Sequence, residues 1–171
     1  MADLKVKILA DSNQAIQNVN NFNDVTKDCG EQPVFFFPDE GAMKRYSSMF
    51  NAPYAFGMKR RNWEDGKILG LDIINADAVK NKNVFIVDDI CSKGGTFYHA
   101  AKALKAAGAK NVYLYITHLE STVLAGNMYT DDDLIKHIYC ANKLNDFKDV
   151  RNRITNYNSY LTCPSGITKP Y

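Results

Sequence analysis

A chain of 171 residues with 46% hydrophobic residues is long enough for one sizeable core, and it favours a single domain over residues 1–171. Its net charge of +2 is too small to suggest a nucleic-acid or membrane partner. No apolar run approaches the ~20 residues of a membrane span, and the N-terminus lacks a signal-peptide pattern. The four cysteines show no CxxC spacing and are typical of reduced thiols, so we expect a cytoplasmic protein.

The first third of the chain alternates short apolar segments with polar turns. Leu4–Ala10 alternates apolar and basic residues and predicts a half-exposed strand, whereas 12–23 is rich in asparagine and only weakly helical. A turn is expected at 28–30. Val34–Phe37 is uniformly apolar and predicts a buried strand. The apolar residues that follow recur at helical spacing: Met43, Tyr46 and Phe50.

Two more strands are expected before the centre of the chain. Ala52–Met58 predicts a short strand, and Lys67–Ile74 predicts another. The segment between them, Lys59–Gly66, is polar. It predicts a mobile loop because it offers little apolar surface to hold it in place.

The most informative segment runs from Val84 to Thr96. Its first four residues are apolar and predict a strand buried on both faces. The carboxylates of Asp88 and Asp89 therefore leave the sheet at the carboxyl end of that strand, where open α/β sheets bind ligands. Paired carboxylates at this place suit ribose hydroxyls or Mg²⁺. The alternative, an acidic turn that merely caps a helix, does not explain two carboxylates directly after a buried strand.

A polar loop, Ser92-Lys93-Gly94-Gly95-Thr96, follows the carboxylates. The paired glycines let backbone N–H groups approach an anion closely. Thr96 is placed where the N-cap of the next helix belongs, and a helix N-terminus attracts anions. We therefore expect residues 92–96 to bind the phosphate of a sugar phosphate.

The segment after the motif continues the α/β pattern. One apolar face predicts a helix that Gly108 ends, and Val112–Thr117 predicts the next buried strand. Strand–helix–strand order with short links implies parallel pairing and a three-layer α/β domain. Beyond residue 119 the pattern weakens: 121–127 is interpreted as helical, Ile135–Cys140 as a strand and 141–171 as an irregular tail.

A second candidate site follows the strand at Val34–Phe37. Asp39 and Gly41 form a turn, and Lys44 and Arg45 add two cations near the start of the predicted helix. A strand end, a glycine turn and two cations suit pyrophosphate, although a solvated turn with surface charges has the same composition.

Three adjacent cations, Lys59, Arg60 and Arg61, form a third candidate. On a loop between strands they would close over a polyphosphate and neutralise charge in a transition state. A charge run is more often a solvated face, and this alternative stays open on the residues alone.

The carboxylate pair followed by Gly-Gly-Thr resembles the phosphoribosyl-pyrophosphate (PRPP) motif of type I phosphoribosyltransferases, and the likeness extends over about residues 33–140. The order of the Pro-Asp turn, the Lys-Arg-Arg segment and Thr117-His118 is similar to that in the C-terminal half of ribose-phosphate pyrophosphokinases (PRPP synthetases). Two positions depart from the pattern. Lys93 stands where the family usually has Thr, and Ser92 stands where it usually has Asp.

The resemblance implies a three-layer type I phosphoribosyltransferase-like domain, α/β, with a mostly parallel central sheet of about five strands and helices on both faces. It implies a Mg²⁺-dependent transferase of ribose 5-phosphate or PRPP chemistry, with ATP or a nucleobase as co-substrate and a homo-oligomeric state. The residues assigned to the ligand are Asp39, Gly41, Lys44, Arg45, Asp88, Asp89 and 92–96, those assigned to catalysis are Lys59, Arg60 and Arg61, and the metal contact runs through Asp88 and Asp89. The alternative is a non-catalytic PRPP or nucleotide sensor, or a regulatory subunit of a synthetase.

Overall fold

The computed structural model describes residues 32–64, 68–144 and 147–156. The strand expected at 4–10, the weak helix at 12–23 and the turn at 28–30 lie outside these residues. Within them the strands are β1 (Val34–Phe37), β2 (Tyr54–Arg61), β3 (Ile68–Ile74), β4 (Asn83–Cys91), β5 (Asn111–Leu119), β6 (His137–Lys143) and β7 (Ile154–Asn156). The α-helices are α1 (Glu40–Tyr46), α2 (Gly95–Ala106) and α3 (Asn127–Thr130), and 3₁₀ turns occupy Ser47–Met49, Ala76–Val79 and Ser121–Ala125.

All seven strands form one sheet in the order β3-β2-β1-β4-β5-β6-β7. Every neighbouring pair is parallel except β2 and β3, which pair antiparallel. The predicted mostly parallel α/β sheet is confirmed, but it has seven strands among the described residues instead of about five. Six of these strands correspond to strands that the sequence predicts, and β7 lies in the segment that was expected to be an irregular tail.

The predicted mobile loop over 59–66 is wrong in its first three residues. Lys59, Arg60 and Arg61 end β2 and pair with β3, with a register shift between Arg60 and Arg61. Backbone pairing holds the segment, so its lack of apolar side chains does not decide its structure.

The tail prediction is wrong in part, because residues 141–143 belong to β6 and Ile154–Asn156 form β7. A buried cation anchors β7. Arg153 is 7% exposed and donates to the backbone carbonyl oxygens of Tyr129, Asp131 and Ile135. Its Nη1 also lies 3.0 Å from a carboxylate oxygen of Asp132. A polar network of this kind leaves no apolar periodicity in the sequence.

Each face of the sheet carries its own core, as the alternation of strand side chains requires. On one face Val34, Phe36, Val84 and Ile86 pack with the apolar side of α2. On the other face a cluster of aromatic and aliphatic side chains packs with Ala42 of α1: Phe35, Phe37, Phe85, Val87, Tyr113 and Tyr115. Helices therefore cover both faces, and the three-layer prediction is confirmed.

Candidate functional site

The two carboxylates lie within the last residues of β4 and do not follow it, because the strand continues to Cys91. Asp88 is opposite Ile116 of β5. The Asp88 side chain is 16% exposed and that of Asp89 is 52% exposed. The pair therefore lies at the carboxyl end of the parallel strands, as predicted, with one carboxylate partly buried and the other in solvent.

Burial raises the pKa of Asp88 from its ordinary value of 3.8 to about 6. The negative charges of Asp89 and Asp39 contribute to this increase in the pKa, whereas the backbone N–H of Asp89, 3.0 Å from Asp88 Oδ1, opposes it. The contribution of Asp39 means that the turn after β1 and the end of β4 share one electrostatic environment.

Arg45 joins these two regions. Its Nη2 atom is 3.6 Å from Asp88 Oδ1 and 3.7 Å from Asp89 Oδ2. Both distances exceed the usual length of a charge-assisted hydrogen bond, and the side chain is 52% exposed, so the attraction is weak. Arg45 thus partly balances the carboxylates while remaining accessible to a ligand.

The other parts of the second candidate site are arranged differently from the prediction. Asp39 is the N-cap of α1: its Oδ1 accepts from the backbone N–H of Ala42 at 2.9 Å. Lys44 and Arg45 lie in the last turn of this helix, not near its start. Lys44 pairs with Glu40 at 2.7 Å on the solvent side and does not reach the carboxylates. Gly41 lies in the first turn, next to Asp39 Oδ1.

The predicted cation cluster is divided between the two faces of the sheet. Lys59 is opposite Leu71, which packs toward α2, and its ammonium group lies 3.7 Å from Asp39 Oδ2. Arg60 is opposite Gly70, and its Nε lies 3.1 Å from Asp72 Oδ2. Because neighbouring residues of a strand point to opposite faces, Lys59 reaches the site and Arg60 does not. For Arg61 the structure describes only the backbone, as the last residue of β2.

The polar loop opens α2, but Thr96 is not its N-cap. The helix begins at Gly95, and Gly94 occupies the cap position with φ at +76°. Glycine adopts this left-handed conformation without strain. The first intrahelical bond joins the Tyr98 N–H to the Gly94 carbonyl at 2.8 Å, so the N–H groups of residues 95–97 lie in the first turn, which suits an anion. A Cβ added at Gly95 would meet no atom within 4 Å.

A cleft of about 460 Å³ lies between α2 and the β2–β3 hairpin. We call it the main cleft, and its lining is Pro38, Lys59, Gly70, Leu71, Thr96, His99 and Ala103. Lys59 and Thr96 thus line the same cleft. Neither Asp88 nor Asp89 lines this cleft. Asp39 connects them to it, because its charge acts on Asp88 and its carboxylate pairs with Lys59, which lines the cleft. His99 carries no motif, and only its position one turn after Thr96 on the helix marks it.

Lys93 contributes to a different cleft of about 310 Å³, on the side of residues 125–128. Gly95 and His99 also line it. The loop lies against Gly126 so closely that a side chain there would overlap the Lys93 carbonyl oxygen. Ser92 is exposed beside it. The residues of the predicted phosphate loop therefore face two clefts on either side of the helix start.

The carboxylates fit Mg²⁺ only together with a ligand. The described residues contain no group of three or more His, Cys, Asp or Glu side chains that is arranged to hold a metal ion. A pair of carboxylate oxygens is nevertheless a suitable partial donor set, because Mg²⁺ commonly binds one or two carboxylates together with substrate phosphates and water.

Cys91, two residues after Asp89, is not activated as a nucleophile. Burial raises the pKa of the Cys91 thiol to about 12, so it remains protonated at neutral pH. His118 lies opposite Ile90 in the β4–β5 register, and its buried Nδ1 has no hydrogen-bond partner among the residues that the structure describes. The part of the chain that the structure describes contains no helix long and apolar enough to cross a membrane.

The chain is similar to proteins of known family. Residues 41–148 match the family described as phosphoribosyl transferase domain. The chain is 35% identical over 96 residues to the ribose-phosphate pyrophosphokinase of Saccharolobus solfataricus. This match covers 54% of this chain and 33% of that protein. It is 38% identical over 85 residues to the enzyme of the same name from Thermococcus kodakarensis, of which it covers 29%. The matched part thus spans about a third of these relatives.

Solved structures agree with this relationship. The phosphoribosylpyrophosphate synthetase of Mycobacterium smegmatis superposes with a TM-score of 0.62 and 25% identity, covering 84% of this chain and 45% of that chain. An adenine phosphoribosyltransferase of Thermoanaerobacter pseudethanolicus shares the fold with a TM-score of 0.56 and 19% identity, covering 80% and 83%. The predicted resemblance is confirmed, and the chain belongs to the phosphoribosyl transferase domain family.

Proposed function

We propose that this chain is a Mg²⁺-dependent transferase of ribose 5-phosphate or PRPP metabolism. In a phosphoribosyltransferase reaction, a nitrogen atom of a base attacks C1 of PRPP and pyrophosphate leaves. In a pyrophosphokinase reaction, the C1 hydroxyl of ribose 5-phosphate attacks the β-phosphorus of ATP and AMP leaves. Both reactions need a held ribose phosphate and cations around a pyrophosphate group, so they use the same kind of site.

The observation that carries this proposal is the meeting of three segments. Arg45 approaches both carboxylates of β4, Lys59 approaches Asp39, and Lys59 shares the main cleft with Thr96. Carboxylates, cations and a helix start therefore lie at the same edge of the sheet. A sugar that carries a phosphate at one end and a pyrophosphate at the other has matching chemistry.

Each group has a defined part in this proposal. The N–H groups that open α2 bind the 5-phosphate. Ionised Asp88 and Asp89 accept hydrogen bonds from the ribose hydroxyls and contact ligand-bound Mg²⁺. Lys59 and Arg45 neutralise charge on the leaving group, which is pyrophosphate when the C1–O bond of PRPP breaks and AMP when the P–O bond of ATP breaks. When bound, Mg²⁺ neutralises further negative charge on the phosphate oxygens.

The second candidate function is a non-catalytic sensor of PRPP or nucleotides, or a regulatory subunit of a synthetase. One observation favours it: Lys93 lines the second cleft, away from Lys59. A sensor would use the same binding site without turnover.

Calorimetry with ribose 5-phosphate, PRPP and ATP, each with Mg²⁺, tests whether the site binds these ligands. Gly95→Ala is the matched variant, because its added methyl group points into open space and leaves the fold intact. We expect it to weaken binding of ribose 5-phosphate and PRPP at least tenfold without changing thermal stability. Full affinity in this variant would contradict the placement of the phosphate at the helix start.

A turnover assay separates the two functions. We expect product with ATP plus ribose 5-phosphate, or with PRPP plus a nucleobase. Binding without turnover in every combination, with or without a partner chain, would replace the enzyme by the sensor. Failure of ribose 5-phosphate, PRPP and ATP to bind would refute both functions.

A further inference from the structure

His99 is a polar side chain of the site to which the proposed function gives no part. It lies in the second turn of α2 and is exposed. It lines the main cleft together with Lys59 and Thr96, and it lines the second cleft, of about 310 Å³, together with Lys93 and Gly95. Of the described residues that line these two clefts, His99 alone lines both. Its imidazole therefore lies where the two clefts meet.

The direction of helical side chains brings this imidazole toward the start of α2. Side chains of an α-helix tilt toward its N-terminus, and residues three or four positions apart lie next to each other on its surface. Gly95 and Thr96 precede His99 by four and three residues. A Cβ added at Gly95 would meet no atom within 4 Å, which includes the atoms of the His99 ring. The space over Gly95, on the side of the imidazole, is therefore open.

The imidazole is available to a ligand. Among the described residues, His99 makes no hydrogen bond or ion pair, and its ring contacts that of Tyr98 with the centroids 5.5 Å apart. A neutral imidazole has one N–H donor and a protonated one has two. No carboxylate is among the described residues that line either cleft, whereas Lys59 lines one and Lys93 the other. A hydrogen-bond donor between two cations favours an anionic ligand.

We propose that His99 is a binding residue for a phosphate monoester, and that its imidazole donates a hydrogen bond to the 5-phosphate of the ribose ligand. The inference rests on the proposed function for the position of this phosphate at the start of α2. The N–H groups of the first turn would bind the phosphate along the helix axis, and His99 would bind it from the side, across the open space over Gly95. His99 thus adds a side-chain contact that lies outside the Gly-Gly-Thr motif.

The leaving group is less suited to this position. The proposed function assigns it to Lys59 and Arg45, and Arg45 lies beside the carboxylates of β4, which line neither cleft. The space over Gly95 instead adjoins the N–H groups of the first turn, which are assigned to the 5-phosphate. We therefore expect His99 to determine the affinity for ribose 5-phosphate and for PRPP through the phosphate that these two ligands share.

Calorimetry with ribose 5-phosphate and Mg²⁺ tests this contact in the whole chain. We expect His99→Ala to bind about tenfold more weakly than the wild type, because a hydrogen bond to a charged group is lost. Lys102→Ala is the matched control, since it removes an exposed cation of the same helix that lines neither cleft. We expect it to bind as the wild type does. Both variants should keep the wild-type Tm, because alanine favours helix at exposed positions.

The imidazole resonances in nuclear magnetic resonance spectra report the contact directly. The chain has three histidines, and the spectrum of His99→Ala identifies the signal of His99. We expect ribose 5-phosphate to shift this signal and to leave that of His137, at the start of β6, in place. A shift with pyrophosphate but not with ribose 5-phosphate would overturn the assignment to the monoester.

The outcomes separate this inference from the proposed function. A wild type that binds neither ribose 5-phosphate nor PRPP would refute the proposed function and this inference with it. If the wild type binds and Gly95→Ala weakens binding, the phosphate position is supported, and full affinity in His99→Ala or an unmoved His99 signal would overturn the role of His99 alone. Equal losses in His99→Ala and Lys102→Ala would also overturn it, because they would reflect the general charge of the helix and not a contact.

Discussion

Replacing Asp88 by Asn should stabilise the protein at pH 8 and weaken its ligand binding. In the folded protein the pKa of Asp88 is raised from 3.8 to about 6, so folding without ligand favours the protonated carboxyl group. The folded state therefore binds more protons than the unfolded state between these two values. It follows that the contribution of this group to stability falls as the pH rises from about 4 to about 6, and remains low above that.

The magnitude follows from the same values. A carboxyl group shifted from pKa 3.8 to about 6 carries an ionisation penalty of at most about 3 kcal/mol. The side chain is 16% exposed and Arg45 lies 3.6 Å away, so solvent and this cation offset part of the penalty. We expect Asp88→Asn to raise the free energy of unfolding by about 1–2 kcal/mol at pH 8, which is about 3–6 °C in Tm for a domain of this size.

Thermal unfolding of wild type and variant at several pH values measures this effect. The stability difference should be largest at pH 7–8 and should shrink toward pH 4, where the wild-type carboxyl group is protonated in both states. Asp133→Asn controls for the loss of one surface charge. At pH 8 the same Asp88 variant should bind PRPP with Mg²⁺ at least tenfold more weakly, or about 1.4 kcal/mol. A variant less stable than the wild type at pH 8 would refute the reasoning and show that the carboxylate has a favourable structural role.

Four other substitutions test the remaining geometry. Lys59→Ala should reduce turnover about a hundredfold in a steady-state assay. Arg60→Ala should leave turnover nearly unchanged, because the Arg60 side chain lies on the other face of the hairpin. Equal losses in the two variants would contradict the placement of Lys59 and Arg60 on opposite faces. Gly126→Ala should destabilise the fold by about 2–3 kcal/mol in chemical denaturation, because its methyl group would overlap the Lys93 carbonyl. Arg153→Met should cost about 2–4 kcal/mol by the same measurement, since it leaves buried carbonyl oxygens unpaired, and a neutral effect would mean that water replaces the guanidinium group.

The sequence predicts best where burial alone determines structure. Val34–Phe37 is confirmed as β1 at the same bounds, and β5 contains the predicted Val112–Thr117, because a uniformly apolar run between turns has few alternatives. The strand character of Lys59–Arg61 comes instead from pairing with β3, and that of Ile154–Asn156 from pairing with β6. Backbone pairing between distant segments leaves no local signal in a polar stretch.

The same distinction applies to the site. The carboxylate pair and the glycine loop follow from a motif whose residues are adjacent in the chain. The division of Lys59 from Arg60 follows from strand alternation, which becomes visible only once the segment is known to be a strand. The ion pairs that Arg45 forms with Asp88 and Asp89 join residues more than 40 positions apart, and nothing in the sequence specifies them.

The charges of the site are only loosely balanced, and this affects how a ligand binds. Arg45 and Lys59 lie 3.6–3.7 Å from their carboxylate partners, so moving either cation to a phosphate oxygen loses little. Once Arg45 moves, the ionised form of Asp88 loses a stabilising cation, although it is partly buried beside two other carboxylates. Hydroxyl donors or a ligand-bound cation would then stabilise it. A phosphate group alone would attract the cations and leave the carboxylates without a partner. A ribose that carries both hydroxyls and phosphates would pair with the carboxylates and with the cations. The arrangement therefore favours a complete sugar phosphate over inorganic phosphate or pyrophosphate.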